Sequence, residues 1–252
     1  MAGRNRALLV GALSLAGGML LWELAARLFF SPVRLPPLTD IAVQAVRTLL
    51  DGSLERHVGA SLTRIFAGFA VGSALGVALG LAMGSVGWIR RFFDPVVNFL
   101  RFIPPIAWIS PFLIWFGIGE TSKILLITYT VTFMVLLNTL AGIQAIPANR
   151  LRAARSFGAS PLQQFRWVVV PSVVAYILTG MRIGMGNAFT TVVTAEMIAA
   201  QAGLGFLILV SRNYGGTDLI MLGMIMLGAL GFLADRIFVG AVRRFAPQFG
   251  MR

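Results

Sequence analysis

The chain has 252 residues, 58% of them hydrophobic and 12% charged, and a mean hydropathy of +0.85. Soluble domains carry about 45–50% apolar and about 25% charged residues, so this sequence has too little polar surface for a water-soluble globule or a disordered chain. It has no cysteine and a single histidine, His57, which excludes disulfides, thiolate and histidine-cluster metal sites and most triad chemistry. What remains is an integral membrane protein.

The formal net charge is +12, and Lys123 is the single lysine among 21 basic residues. The arginines flank long apolar runs and form no continuous stripe. Insertion topology and anionic lipid headgroups explain that pattern, and nucleic-acid binding does not.

A bilayer core needs about 20 mainly apolar residues per helix. The first run that qualifies is 8–30, interrupted near its end by Glu23 and Arg27 and too long and weakly terminated for a cleaved signal peptide. After it, Arg34-Leu-Pro-Pro is extended. Thr39 or Asp40 then caps a short helix expected to bury Ile41, Ala45 and Leu49 at the outer surface. The second span, 65–86, has no charge. Its glycines at 68, 72, 76, 80 and 84 form one smooth ridge, read as close packing inside the subunit, with a sliding face or a dimer contact as the alternatives.

The third span, 92–118, contains Asp94, Arg101 and prolines at 104, 105 and 111. Its hydrogen-bond ladder must break, which in a bilayer requires either a water-filled path or a kink buried in protein. Pro104 and Pro105 are therefore candidates for a translocation path. The fourth span, 124–146, is uncharged, and the fifth, 173–198, carries Arg182 and Glu196. These two are separated by about 21 Å of helix, too far to pair, and Arg182 is expected to reach the cytoplasmic interface by snorkelling. Glu196, with Thr191 and Thr194 before it, either lines the path or is solvated at the outer end. The stretch 202–210 is too short to cross and is read as a re-entrant or interfacial turn, and 219–240 is the last span.

The count comes to six, with five or seven as alternatives. With the N-terminus inside, inner segments hold eleven basic residues against six outside, which places both termini in the cytoplasm. No repeat or low-complexity tract divides the chain, so 1–252 is read as one membrane domain.

The longest inner loop, 147–171, has the most consistent local signals. Leu151 to Phe157 forms a helix ending at Gly158 as its C-terminal cap. Ser160 caps a second helix with Pro161 at its first position and Gln163 completing a capping box. Arg152, Arg155 and Arg166 surround Ala153, Ala154 and Gly158, a surface flat enough for another protein to approach.

Ala153-Ala154, three residues, Gly158, nine residues and Val168-Val-Val-Pro171 resemble the cytoplasmic loop signature of ABC importer permeases. Trp115 to Lys123, Leu178 to Gly184, Ala195 to Ala200 and Gly203-Leu-Gly-Phe206 are similar to the nitrate/sulfonate/taurine branch of that family. Arg152 stands where the signature has an acidic residue, and Arg-Ala-Ala here is similar to taurine permeases. The resemblance implies an all-α type I ABC importer permease fold with six transmembrane helices. It also implies a loop (Arg152, Ala153, Ala154, Arg155, Gly158, Ser160, Pro161 and Pro171) that docks on a separate ATPase. The partners implied are a second copy of the permease, two cytoplasmic ATPase subunits carrying ATP and Mg, and a periplasmic substrate-binding protein. The location implied is the bacterial inner membrane, with lipid around the spans, and the solute is taurine, another sulfonate or a nitrate-like anion.

No energy source is visible within the chain. Residues 117–123 approach a phosphate loop, but Ser122 replaces its glycine and Ile124 its Ser/Thr. No carboxylate pair or nucleophile–base set is evident, so the chain is read as a non-catalytic transport subunit with no cofactor of its own. The rival reading, a self-contained secondary transporter, calls for paired broken helices and intramembrane ion ligands.

Overall fold

A computed structural model describes residues 2–249. The chain runs through α1 (Ala2–Phe29), α2 (Leu38–Leu50), α3 (Ser53–Ser85) and α4 (Gly87–Leu100). A 3-10 turn (Pro105–Trp108) leads into α5 (Ile109–Phe116), followed by α6 (Glu120–Gln144), α7 (Ala148–Ser156) and α8 (Pro161–Gln164). A π-helical turn (Phe165–Val169) joins α8 to α9 (Val170–Ala199), and α10 (Leu204–Asn213) and α11 (Thr217–Phe245) complete the bundle. Among the described residues there is no strand. Among the described residues four helices are long and apolar enough to cross a membrane, α3, α6, the α8–α9 unit and α11, or five if the bent segment 87–116 is one span.

The core lies where α3, α6, α9 and α11 meet. Ile65, Ile127, Val131, Val135, Met185, Ala188, Phe189, Val192 and Ala234 are buried there in one cluster. The glycine ridge of α3 makes this close approach achievable. A Cβ on Gly72 would stand 2.8 Å from the Thr128 carbonyl, one on Gly76 2.7 Å from Val135 Cβ, and one on Gly80 2.6 Å from Thr139 Cβ. Gly68 and Gly84 meet Ile127 and Ile143 in the same way, so the whole ridge is used inside the chain against α6.

The third span is not a straight rod. Helix α4 begins at Gly87, and the α4 and Pro105–Phe116 segments meet at 95°. The freed carbonyls at the break are met from α6, whose Tyr129 hydroxyl lies 2.5 Å from Leu100 O and 3.2 Å from Ile103 O. Pro111 falls in the first turn of α5, where no ladder hydrogen bond is lost.

The outer elements correct two local expectations. Helix α2 starts after Pro37, which has no side-chain acceptor, and so neither Thr39 nor Asp40 caps it. Its first donors, Leu38 N and Thr39 N, instead reach Glu23 of α1 at 2.7 and 3.4 Å, and Glu23 also pairs with Arg27 at 2.7 Å. The buried face of α2 carries Ile41 and Thr48, leaving Leu49 exposed. The stretch at 202–210 is a short helix, not a turn, with Leu204, Gly205 and Ser211 buried. Helix α1 stands apart from the core, with Leu13, Leu15, Leu21, Leu28 and Phe29 all more than two-thirds exposed.

Candidate functional site

The 147–171 loop forms an elbow with a defined bend. Helix α7 ends in a Schellman arrangement: Gly158 N reaches Arg155 O at 2.9 Å and Ala159 N reaches Ala154 O at 3.0 Å. Gly158 has φ +78°, a left-handed conformation that only glycine adopts without cost. Two residues on, Ser160 Oγ accepts from Gln163 N at 3.3 Å while Gln163 Oε1 accepts from Ser160 N at 2.8 Å, so the expected capping box is present. Gln164 ties the bend together, donating to Ala159 O at 2.8 Å and accepting from Arg155 Nε at 3.3 Å.

Beyond the bend, the expected second helix does not stop. Val170 N bonds to Phe165 O, an i to i+5 link, and the chain continues as α9. This π turn comes just before Pro171, which has no N–H to give to a regular ladder, and carries the helix past it. The elbow's outer arm and the fifth span are therefore one helical body, 161–198. A cavity of about 240 Å³ lies between the elbow and the C-terminal ends of α3 and α6, lined by Gly84, Ser85, Ile143, Arg155, Pro161 and Phe165 among others.

Arg152, Ala153, Arg155, Gly158, Ser160, Pro161 and Pro171 are exposed, and Ala154 is half-buried. The surface is less flat than its small residues imply. Phe157 is 90% exposed and Leu162 75%, so two large apolar side chains protrude beside the bend. Sequence alone singles out neither, although Phe157 lies next to the capping glycine Gly158.

At the opposite end, an ion-pair cluster joins α3, α6, α9 and α10. Arg64 Nη1 lies 2.8 Å from Glu196 Oε1, and Arg64 Nη2 lies 2.8 Å from Glu120 Oε1. Lys123 Nζ approaches Glu120 Oε1 at 3.0 Å. The Glu196 carboxylate also accepts from Ser61 Oγ at 2.8 Å and from Gly205 N at 2.9 Å. Ser61 Oγ in turn accepts from Leu204 N at 2.9 Å, and His57 Nδ1 accepts from Gly203 N at 3.0 Å. Three successive donors at the start of α10 are thus satisfied by side chains of α3 and α9. A carboxylate at a helix N-terminus is also favoured by the helix dipole.

The Glu196 side chain is fully buried, and its carboxylate, withdrawn from water, is compensated by Arg64, Ser61 and the Gly205 amide. Gly203 has φ +133° and a Cβ there would lie 2.3 Å from Glu196 Cδ, so glycine is needed for that approach. Sequence alone does not single out Ser61, His57, Arg64 or Glu120 as members of one cluster. The signal was Gly-x-Gly a few residues after an isolated glutamate.

The remaining path candidates separate. Thr191 is buried, its hydroxyl 3.2 Å from Thr130 Oγ1 on α6, and Thr194 is half-buried. Pro104 is exposed and Pro105 half-buried at the bend. The exposed side of α9 instead carries Thr179, Arg182, Gly186 and Thr190, with Asn187 half-buried beside them. Arg182 pairs with Asp235 of α11 at 2.6 and 2.9 Å.

Residues 72–250 match the family described as "Binding-protein-dependent transport system inner membrane component". The chain is 36% identical over 234 residues to the "Taurine transport system permease protein TauC" of Escherichia coli (strain K12), covering 91% of this chain and 85% of that one. It is 35% identical over 186 residues to the "Nitrate import permease protein NrtB" of Synechocystis sp. (strain ATCC 27184 / PCC 6803 / Kazusa), covering 74% of this chain and 68% of that one. Among solved structures, a chain of the MetNI methionine ABC transporter in an inward-facing conformation superposes with a TM-score of 0.61 at 21% identity, over 74% of this chain and 95% of that one. The similarity to that structure concerns the fold, and the family match covers more than two-thirds of the sequence. The chain therefore belongs to the binding-protein-dependent transport system inner membrane component family.

Proposed function

We propose that two copies of this chain form the translocation path of an ATP-driven importer for a small zwitterionic or anionic solute such as taurine, another sulfonate or nitrate. A periplasmic binding protein delivers the solute, and two cytoplasmic ATPase subunits, which hold ATP and Mg, supply the work. In this reading the chain crosses six times, with both termini and the 147–171 elbow on the cytoplasmic side, α1 as the first span and the bent α4–α5 pair as the third.

The observation that carries this reading is the continuity of the elbow with α9. A push on an exposed arm does work on a span only if nothing flexible lies between them. Here a Schellman turn, a capping box and an unbroken helix from Pro161 to Ile198 connect the two. Phe157 and Leu162, both largely exposed, provide the apolar contact that a docked ATPase would cover. The taurine and nitrate relatives support the solute class.

Reconstitution in vesicles with and without the ATPase tests the proposal. Uptake is expected only with the ATPase, the binding protein and internal ATP together. Uptake driven by an ion gradient with the ATPase omitted overturns it.

A further inference from the structure

Charged side chains at membrane depth are costly, and where they occur they face protein or a water-filled cavity. Helices α9 and α11 carry one such pair. Counting 1.5 Å per residue, Arg182 lies about 24 Å from the outer end of its span at Ile198, and Asp235 lies about 24 Å from Leu219. The two run antiparallel at the same depth, and the guanidinium meets the carboxylate edge to edge, Nε to Oδ1 at 2.6 Å and Nη2 to Oδ2 at 2.9 Å.

This pair differs from the outer one in being open. The side chains of Arg182 and Asp235 are 42% and 33% exposed, against 5% and 0% for Arg64 and Glu196. Arg182 lies on the face of α9 that carries Thr179, Gly186 and Thr190, while Met185, Ala188, Phe189 and Val192 on the other face build the core. Ile183 and Tyr176 are exposed on the same face at 43% and 39%, so the face is mixed, and the ion pair at its edge toward α11 is the part that calls for water or protein in place of lipid. Three other basic groups are engaged elsewhere: Arg64 by Glu120, Glu196 and the Ala202 carbonyl, Lys123 by Glu120, and Arg236 over the Phe232 ring.

The pair also has unspent capacity. A guanidinium has five N–H donors in a planar fork, and Asp235 occupies only the Nε/Nη2 edge. Arg182 Nη1 has no hydrogen-bond partner among the described residues. Each Asp235 oxygen takes one N–H and keeps a lone pair. One edge is thus free for an oxyanion and an adjacent acceptor is free for an ammonium.

We infer that Arg182 and Asp235 form a solute subsite on the translocation path, Arg182 holding the sulfonate of a small zwitterion and Asp235 its ammonium. The inference rests on the importer reading above and adds the residues that recognise the solute. The prior pairing of the two charges keeps the site nearly neutral, so a solute is held by hydrogen-bond geometry and not trapped by a bare charge. That is the condition for passage through a path.

The test uses the complete importer reconstituted with its ATPase and binding protein, with taurine and ethanesulfonate, which lacks the ammonium, as probes. Assembly is read by copurified ATPase in the same preparation. Arg182→Gln is expected to lower uptake of both solutes at least tenfold. Asp235→Asn is expected to lower the taurine-to-ethanesulfonate uptake ratio at least tenfold. The exchange variant Arg182→Asp with Asp235→Arg keeps an ion pair and is expected to assemble but not to transport. Recovery of both uptakes in the exchange variant would show a purely structural pair and overturn the inference. If Arg182→Gln fails to assemble, the ratio in Asp235→Asn decides, and an unaltered ratio overturns the subsite. Wild-type importer that moves neither solute overturns the solute class itself, which distinguishes the two failures.

Discussion

The carboxylate of Glu196 on α9 lies 2.8 Å from the guanidinium of Arg64 on α3, and their side chains are 0% and 5% exposed. Around this contact the start of α10 is fastened by Ser61, His57 and Glu196 itself. Breaking a buried pair by removing one partner costs about 3–5 kcal/mol, because the other charge stays buried without compensation. Glu196→Gln is therefore expected to lower the unfolding temperature of the purified permease by on the order of 10 °C. Hydrogen exchange at 203–207 should rise in the same variant. A variant with wild-type stability and wild-type protection of α10 would show that the cluster contributes nothing.

Gly158 combines a left-handed backbone with open space, since a Cβ there meets nothing within 4 Å. A side chain at this position points outward and costs about 1–2 kcal/mol in backbone conformation, which leaves the bundle folded. Gly158→Trp is expected to insert normally and to lose ATPase copurification, while Gly158→Asn, whose side chain is small and tolerates φ > 0, should retain most of it. Equal copurification in both variants would remove the elbow from the docking surface.

The glycine ridge has the opposite property, because its space is already filled. Gly76→Ala places a Cβ 2.7 Å from Val135 Cβ and 2.8 Å from the Thr132 carbonyl, and neither backbone nor β-branched neighbour can move cheaply. Overpacking of this kind costs about 1–3 kcal/mol. Gly240→Ala in α11, with nothing within 4 Å of the new atom, is the matched control and should be neutral or stabilising. Thermal unfolding of the two purified variants in detergent compares them directly.

The absence of cysteine makes the chain a ready background for single-cysteine labelling. Phe157 and Tyr214, 90% and 86% exposed, lie at opposite ends of the α9 span. An impermeant maleimide added to intact cells is expected to label Tyr214→Cys and to leave Phe157→Cys unlabelled until the cells are opened. The reverse pattern would invert the topology and detach the elbow from any cytoplasmic ATPase.

Much of the outcome was legible in linear order. Hydropathy located α6, α9 and α11 to within about a turn and a half at each end, because a bilayer filters on local composition, whereas α3 begins twelve residues before the expected span. The elbow was equally readable, since a C-terminal glycine cap and a capping box are interactions between residues a few positions apart. Every-fourth-residue glycines announced close packing in α3, and the prolines announced a break after α4. The family resemblance, carried by several short motifs in order, was confirmed over residues 72–250.

What the chain could not disclose along its length was which side each polar group faces and what it meets. Ser61 and Arg64 find Glu196 across more than 130 positions of sequence, and Arg182 finds Asp235 on another helix. Thr190 and Thr191 are neighbours in sequence, yet one faces outward and the other bonds to Thr130 in the interior. These outcomes depend on helix rotation and partner register. Both are settled by packing of the whole bundle, because a buried charge or hydroxyl is tolerable only where a distant segment supplies its complement. Local chemistry therefore determined the helices, their caps and the elbow, while the tertiary structure alone decided which charges are fastened inside and which remain exposed.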